Sequence, residues 1–226
     1  MITHSIPRIG VDIGHGRRAL RAAAAGFSLV WLIGLAIPVP AVDLDASGRA
    51  ALDAVTGQEV ATALRASFVH GFAALALAAV ALGLARATAA SGERRVARVA
   101  AVAGLTAAGL SVLQWSLELV LAGPVASAGE AGAADALVDA VNRVDGLKML
   151  AIAALAVAGV TAARRVGVLP RWLVLLGPAL ALSLVIAAGG YGLLIPALAP
   201  AAFVALPLLM VWITGSGLSL AGKRGR

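Results

Sequence analysis

No cysteine occurs in this 226-residue chain, and that one absence removes several chemistries. Disulfides, thiolate nucleophiles, iron–sulfur clusters and cysteine-ligated zinc or haem are excluded, and quinone-linked thiol oxidoreductases go with them. Charge is scarce too. Only 13% of residues are Asp, Glu, Lys or Arg against 61% hydrophobic, too few to cover a water-soluble fold of this size. Aromatics make 4%, so the apolar surface is built mainly from alanine, leucine, valine and glycine, small enough for close helix approach in lipid. Histidine is limited to His4, His15 and His70. Membrane zinc hydrolases want three converging histidines, and only His70 lies in an apolar stretch. Neither a metal nor a cofactor is expected.

What the chain does have is long apolar runs, with a mean hydropathy of +0.98. A hydrocarbon core of ~30 Å needs about 20 helical residues, and six segments meet or approach that, at about 22–39, 67–84, 99–122, 147–163, 172–188 and 195–215. The expected fold is all-α, a polytopic membrane bundle of six transmembrane helices. Pro38 and Pro40 close the first span. The fourth continues outward as a water-exposed helix, because Leu137, Val141 and Val144 recur at helical spacing before it. Thr56-Gly57-Gln58-Glu59 fits a capping box that starts the second helix before the membrane. Gly189, Gly190 and Gly192 around Tyr191 suggest a tight turn. Pro178 and Pro207 should kink their helices. Trp172 and Trp212 fit one aromatic belt and Trp115 the other, with Trp31 packing near mid-membrane. Residues 1–20 and 218–226 read as tails. The opening segment lacks a small-residue cleavage site and so does not read as a secretory signal.

Arginine alternates by loop. Fourteen of the 18 basic residues fall on one side: Arg8, Arg17, Arg18, Arg21, Arg86, Arg94, Arg95, Arg98, Arg164, Arg165, Arg171, Lys223, Arg224 and Arg226. Arg49, Arg65, Arg143 and Lys148 fall on the other, with most of the acids. This asymmetry places both termini in the cytoplasm, and the composition suits a bacterial inner (plasma) membrane. Contact with anionic lipid headgroups follows. Nucleic-acid binding is not indicated. The long loops all lie on the acidic side, so the inverted repeats common in secondary transporters find no support.

Polar side chains inside a bilayer are costly and are the first place to seek function. Ser111, Gln114 and Glu118 are spaced three and four apart and share a helix face. Glu118 lies ~30 Å along the helix from Arg98. His70 sits about one turn inside the second span, and Asp145 and Lys148 begin the fourth. His70, Gln114, Glu118, Asp145 and Lys148 could thus meet at one level near the outer surface. One reading is an outward-facing pocket in which His70 and Glu118 exchange protons and Lys148 is the counter-ion. The other is a headgroup-level cluster in which Lys148 pairs with Asp145 or Glu118 to fix packing. A rhomboid-like serine protease fits poorly, because Gly109-Leu110-Ser111 is followed by Val112 in mid-helix.

Leu169-Pro170-Arg171-Trp172-Leu173, followed by Gly177 and a last apolar helix ending Val211-Trp212-Ile213, resembles a family of bacterial six-helix integral membrane proteins with a domain of unknown function. That family commonly opens its penultimate helix with Pro-Arg-Trp-Leu and closes its last with Trp-Leu-Ile. The likeness covers mainly the last 60 residues and implies the same six-helix fold, without an established activity. The family's frequent last-helix glutamate has no counterpart here, where Leu206 to Met210 are apolar. Three functions stay open: a non-catalytic scaffold or partner subunit (with a protein partner or as a homo-oligomer), a small permease or proton-coupled transporter, and an intramembrane enzyme.

Overall fold

A computed structural model of the chain describes residues 13–222. Seven α-helices are present among them: α1 (Ile13–Ala36), α2 (Gly48–Val55), α3 (Glu59–Ala90), α4 (Arg94–Ala128), α5 (Ala131–Val166), α6 (Arg171–Leu193) and α7 (Ala201–Gly222). All but α2 are long and apolar enough to cross a membrane. Each of these six packs on its neighbour in the chain, and α7 returns to α1, which closes a ring. The core of this membrane bundle is largely alanine and leucine, with Phe27, Trp212 and Ile213 almost fully buried. Leu175 and Phe203, among many others, stay exposed on the outside. In water that surface would be a liability, whereas in lipid it is solvated.

Several helix boundaries differ from the sequence reading. The first helix already begins at Ile13 and stops at Ala36, so part of the expected tail is helical. His4 and the basic residues 223–226 lie outside the described residues. The last helix starts at Ala201, after a 3₁₀ turn at Pro196–Leu198, and runs to Gly222 through the expected C-terminal tail. α5 does extend outward as one 36-residue helix. α3 does start ahead of the expected span, at Glu59, but without the capping box. Thr56 ends α2, Gln58 is the N-cap and makes no side-chain bond, and Glu59 reaches back to the Gly57 N–H at 2.9 Å. Pro178 and Pro207 sit inside continuous helices.

The glycines near Tyr191 belong to α6 rather than to a turn. The chain turns instead at Leu194, the sole non-glycine residue with positive φ among those described. What these glycines provide is close approach. A Cβ on Gly146 of α5 would lie 2.6 Å from the Gly192 backbone nitrogen, and backbone cannot swing aside as a side chain can. Gly146→Ala is therefore expected to cost about 1–3 kcal/mol by forcing α5 and α6 apart. Gly109→Ala, where a Cβ meets nothing within 4 Å, should be neutral or stabilising. Thermal unfolding of both variants in detergent checks the contrast.

At the acidic end a smaller cluster joins α2 to the outer parts of α4 and α5 through Leu52, Val55, Leu121, Ala134 and Val138. Ser47 caps α2 by accepting from the Ala50 N–H, and the Gly48 N–H donates to Asp135 at 2.9 Å. At the arginine-rich end, an exposed Arg165–Glu93 pair at 3.0 Å ties α5 to the α3–α4 turn. A pair so exposed contributes at most about 1 kcal/mol.

Candidate functional site

Three helices bring the five polar residues together. α3 supplies His70 from a π-helical turn, Ser67–Phe72, a distortion frequent at functional sites. Around this turn Trp115 of α4 donates its indole N–H to Ser67 Oγ at 3.0 Å, and Trp31 of α1 sets its ring edge-to-face with the imidazole, centroids 6.3 Å apart. α4 supplies Gln114 and Glu118, one turn apart. α5 supplies Asp145 and Lys148, three residues apart on one face.

Lys148 is the hub. Its ammonium is ion-paired with Asp145 and donates to Gln114 Oε1 at 2.6 Å, with His70 Nδ1 at 3.4 Å. An ammonium has donors only, so Nδ1 must accept, and the imidazole carries its proton on Nε2. That nitrogen lies 3.4 Å from Glu118 Oε1. The result is a continuous chain, Asp145–Lys148–His70–Glu118, with Gln114 as a branch. His70, Gln114 and Lys148 are all buried, and burial makes mutual satisfaction compulsory, since an unpaired charge in this setting costs several kcal/mol.

The chain lies in the wall of a cavity of about 440 Å³, within the ~300–1,000 Å³ common for small-molecule sites. All five residues line it, with Ser111 beside Gln114. The wall also holds Thr62 and Arg65 of α3, Asn142 of α5 and Tyr191 of α6, which the polar-residue search in the sequence overlooked. Arg65 had been read only as an orientation charge and Tyr191 only as part of a turn. The available signal was helical register: Thr62, Ala66, Val69 and Ala73 follow one stripe that flanks both Arg65 and His70.

The cavity runs from the acidic end to about the middle of the bundle, where Phe27, Leu77, Ile152 and Leu209 form its apolar floor. Below that floor the few hydroxyls are mostly satisfied locally. Ser28 pairs with Thr214 at 2.8 Å, and Thr88 donates to its own helix at Leu84 O. The α1–α7 contacts at Ala24, Ser28, Met210, Thr214 and Gly217 also lie in this lower half. Further out, exposed Leu35 of α1 and Phe203 of α7 both line the cavity, so it reaches the lipid-facing surface between these helices.

One aromatic expectation is corrected. Trp212 is not a belt residue but is 1% exposed, with its indole N–H donated to Leu173 O at 3.2 Å. Trp172 is half-exposed, as a belt residue would be. No protein-family model, curated protein or solved structure matches the chain.

Proposed function

We propose that the protein is a small permease that takes an amphipathic solute into its cavity and exchanges a proton at His70–Glu118. The observation that carries this reading is the buried Asp145–Lys148–His70–Glu118 chain set in the wall of a cavity that ends near the bundle centre. Transfer of a proton needs direct or one-water contact, which 3.4 Å between His70 and Glu118 supplies. Alternating-access carriers bind near the membrane midplane, and an apolar floor is the expected seal of an outward-open state.

The arginine asymmetry supports an orientation with the arginine-rich end and both termini in the cytoplasm of a bacterial inner membrane. Arg94, Arg95 and Arg98 then meet anionic headgroups. Kinship with the six-helix family rests on the Pro-Arg-Trp-Leu and Trp-Ile elements. In this fold those elements are joined by the Trp212–Leu173 hydrogen bond.

Reconstituted into vesicles, the protein should move solute with a proton, and Glu118→Gln should lower that flux about tenfold or more while leaving the fold intact. Unchanged flux in the variant would remove the permease reading. A second reading, a non-catalytic scaffold or partner subunit, is favoured by the largely apolar lower half of the bundle, where Ser28, Thr214 and Thr88 bond within the protein and offer no polar path onward. It requires a stoichiometric partner, or a second copy of this chain, to be recovered in mild detergent. An intramembrane enzyme ranks third, since Ser111 makes no hydrogen bond to His70 among the described residues.

A further inference from the structure

The polar groups of the cavity divide into two sets. Lys148 spends its three donors on Asp145, Gln114 Oε1 and His70 Nδ1, and His70 Nε2 sits 3.4 Å from Glu118 Oε1. The second set is unpartnered. Thr62 Oγ1 is buried without a hydrogen-bond partner, and among the described residues the side chains of Arg65, Asn142 and Tyr191 make no hydrogen bond or ion pair. All four can donate, and Arg65 adds a permanent charge. A headgroup rich in acceptors and negatively charged is what such a set holds.

Charge balance supplies the next step. The charged groups lining the cavity are Arg65, Lys148, Asp145 and Glu118, which sum to zero while His70 is neutral. An anion would add a net negative charge to a cavity that already holds the Asp145 and Glu118 carboxylates, which is unfavourable. One proton taken up by the His70–Glu118 pair restores neutrality. The groups facing that pair are Arg65 on its own helix, Lys148 and Asp145 from α5, Tyr191 from α6 and Trp31 from α1, with only apolar side chains from α7. The lateral opening at Leu35 and Phe203 leaves room for an apolar tail directed toward lipid.

We propose that the cavity binds an anionic amphiphile, its headgroup on Arg65 with Thr62, Asn142 and Tyr191 and its alkyl chain between α1 and α7, together with one proton at His70–Glu118. This rests on the permease reading for its pocket and names the solute class. The test uses the full chain in phosphatidylcholine nanodiscs, read by Trp31 fluorescence with Trp31→Phe as the blank. The probes are octane sulfonate, octyltrimethylammonium, octanol and inorganic sulfate, none of which titrates in the working range.

Octane sulfonate should bind, more tightly as pH falls from about 8 to 5, and sulfate alone should bind far more weakly. Arg65→Gln should weaken binding roughly tenfold or more, with Arg65→Lys largely restoring it. Glu118→Gln should flatten the pH dependence. Equal affinity for the ammonium probe or octanol, or no effect of Arg65→Gln, overturns the anionic class while leaving an amphiphile pocket standing. Sulfate binding as tightly as octane sulfonate overturns the amphiphile in favour of a free anion. Sulfonate affinity that does not vary with pH overturns the bound proton. If no probe of any charge alters the Trp31 signal, the inference and the permease pocket fall together.

Discussion

Lys148→Met is expected to destabilise the protein by about 3–5 kcal/mol, the cost of removing one member of a buried ion pair. The Lys148 side chain is 7% exposed and that of Asp145 13%, so solvent has little access to compensate either charge. Methionine has nearly the right length but donates nothing. Asp145 would keep its charge without a counter-ion, Gln114 Oε1 would lose its 2.6 Å donor, and His70 Nδ1 would face a thioether. Adding Asp145→Asn should recover a large part of the loss, because the stranded charge is then gone. That recovery distinguishes a charge effect from simple loss of packing. Unfolding in mixed detergent measures both variants. A single variant as stable as the parent would mean that water already solvates the chain, which would return it to a headgroup-level cluster.

Trp212→Ala should cost a similar amount, about 3–5 kcal/mol, for an unrelated reason. The indole fills a recess made by two glycines. A Cβ on Gly159 would come within 2.6 Å of the ring, and one on Gly177 within 3.6 Å of its nitrogen. Removing the ring leaves a void walled by α5, α6 and α3 and takes away the indole donor to the Leu173 carbonyl. Trp212→Phe should restore part of the volume but not the hydrogen bond, and so fall between. Thermal denaturation in the same detergent gives the order. Equal stability of all three would show that the helices collapse around the gap.

Much of the site was legible before the fold was known. Intramembrane polar residues are rare enough to stand out one by one. His70, Gln114, Glu118, Asp145 and Lys148 could be placed at one level by counting 1.5 Å per residue from each membrane edge. Depth along a helix is a one-dimensional quantity, and sequence carries it well. Azimuth is not. Which way each residue faces, and which helices are neighbours, depends on packing between segments far apart in the chain. Arg65 therefore passed as an ordinary loop-side charge, and Trp212 as an interfacial aromatic.

The glycines make the same point in reverse. Gly192 looks like a loop former in a linear reading, and Gly146 draws no notice within its helix, because glycine is most often noticed where chains turn. Their use here is to let two backbones meet, and that needs both partners, 46 positions apart, to be known at once.

The chain by itself determined that six apolar rods exist, which ends carry arginine and which polar groups interrupt the apolar segments, because lipid forces every spanning segment to satisfy its own backbone and makes each polar side chain stand out residue by residue. Only the tertiary structure decided that Lys148 is fully claimed by its neighbours while the side chains of Arg65, Thr62, Asn142 and Tyr191 find no hydrogen-bond partner among the described residues. Hydrogen-bond satisfaction is a property of contacts between helices, and no count along a single strand of sequence contains it.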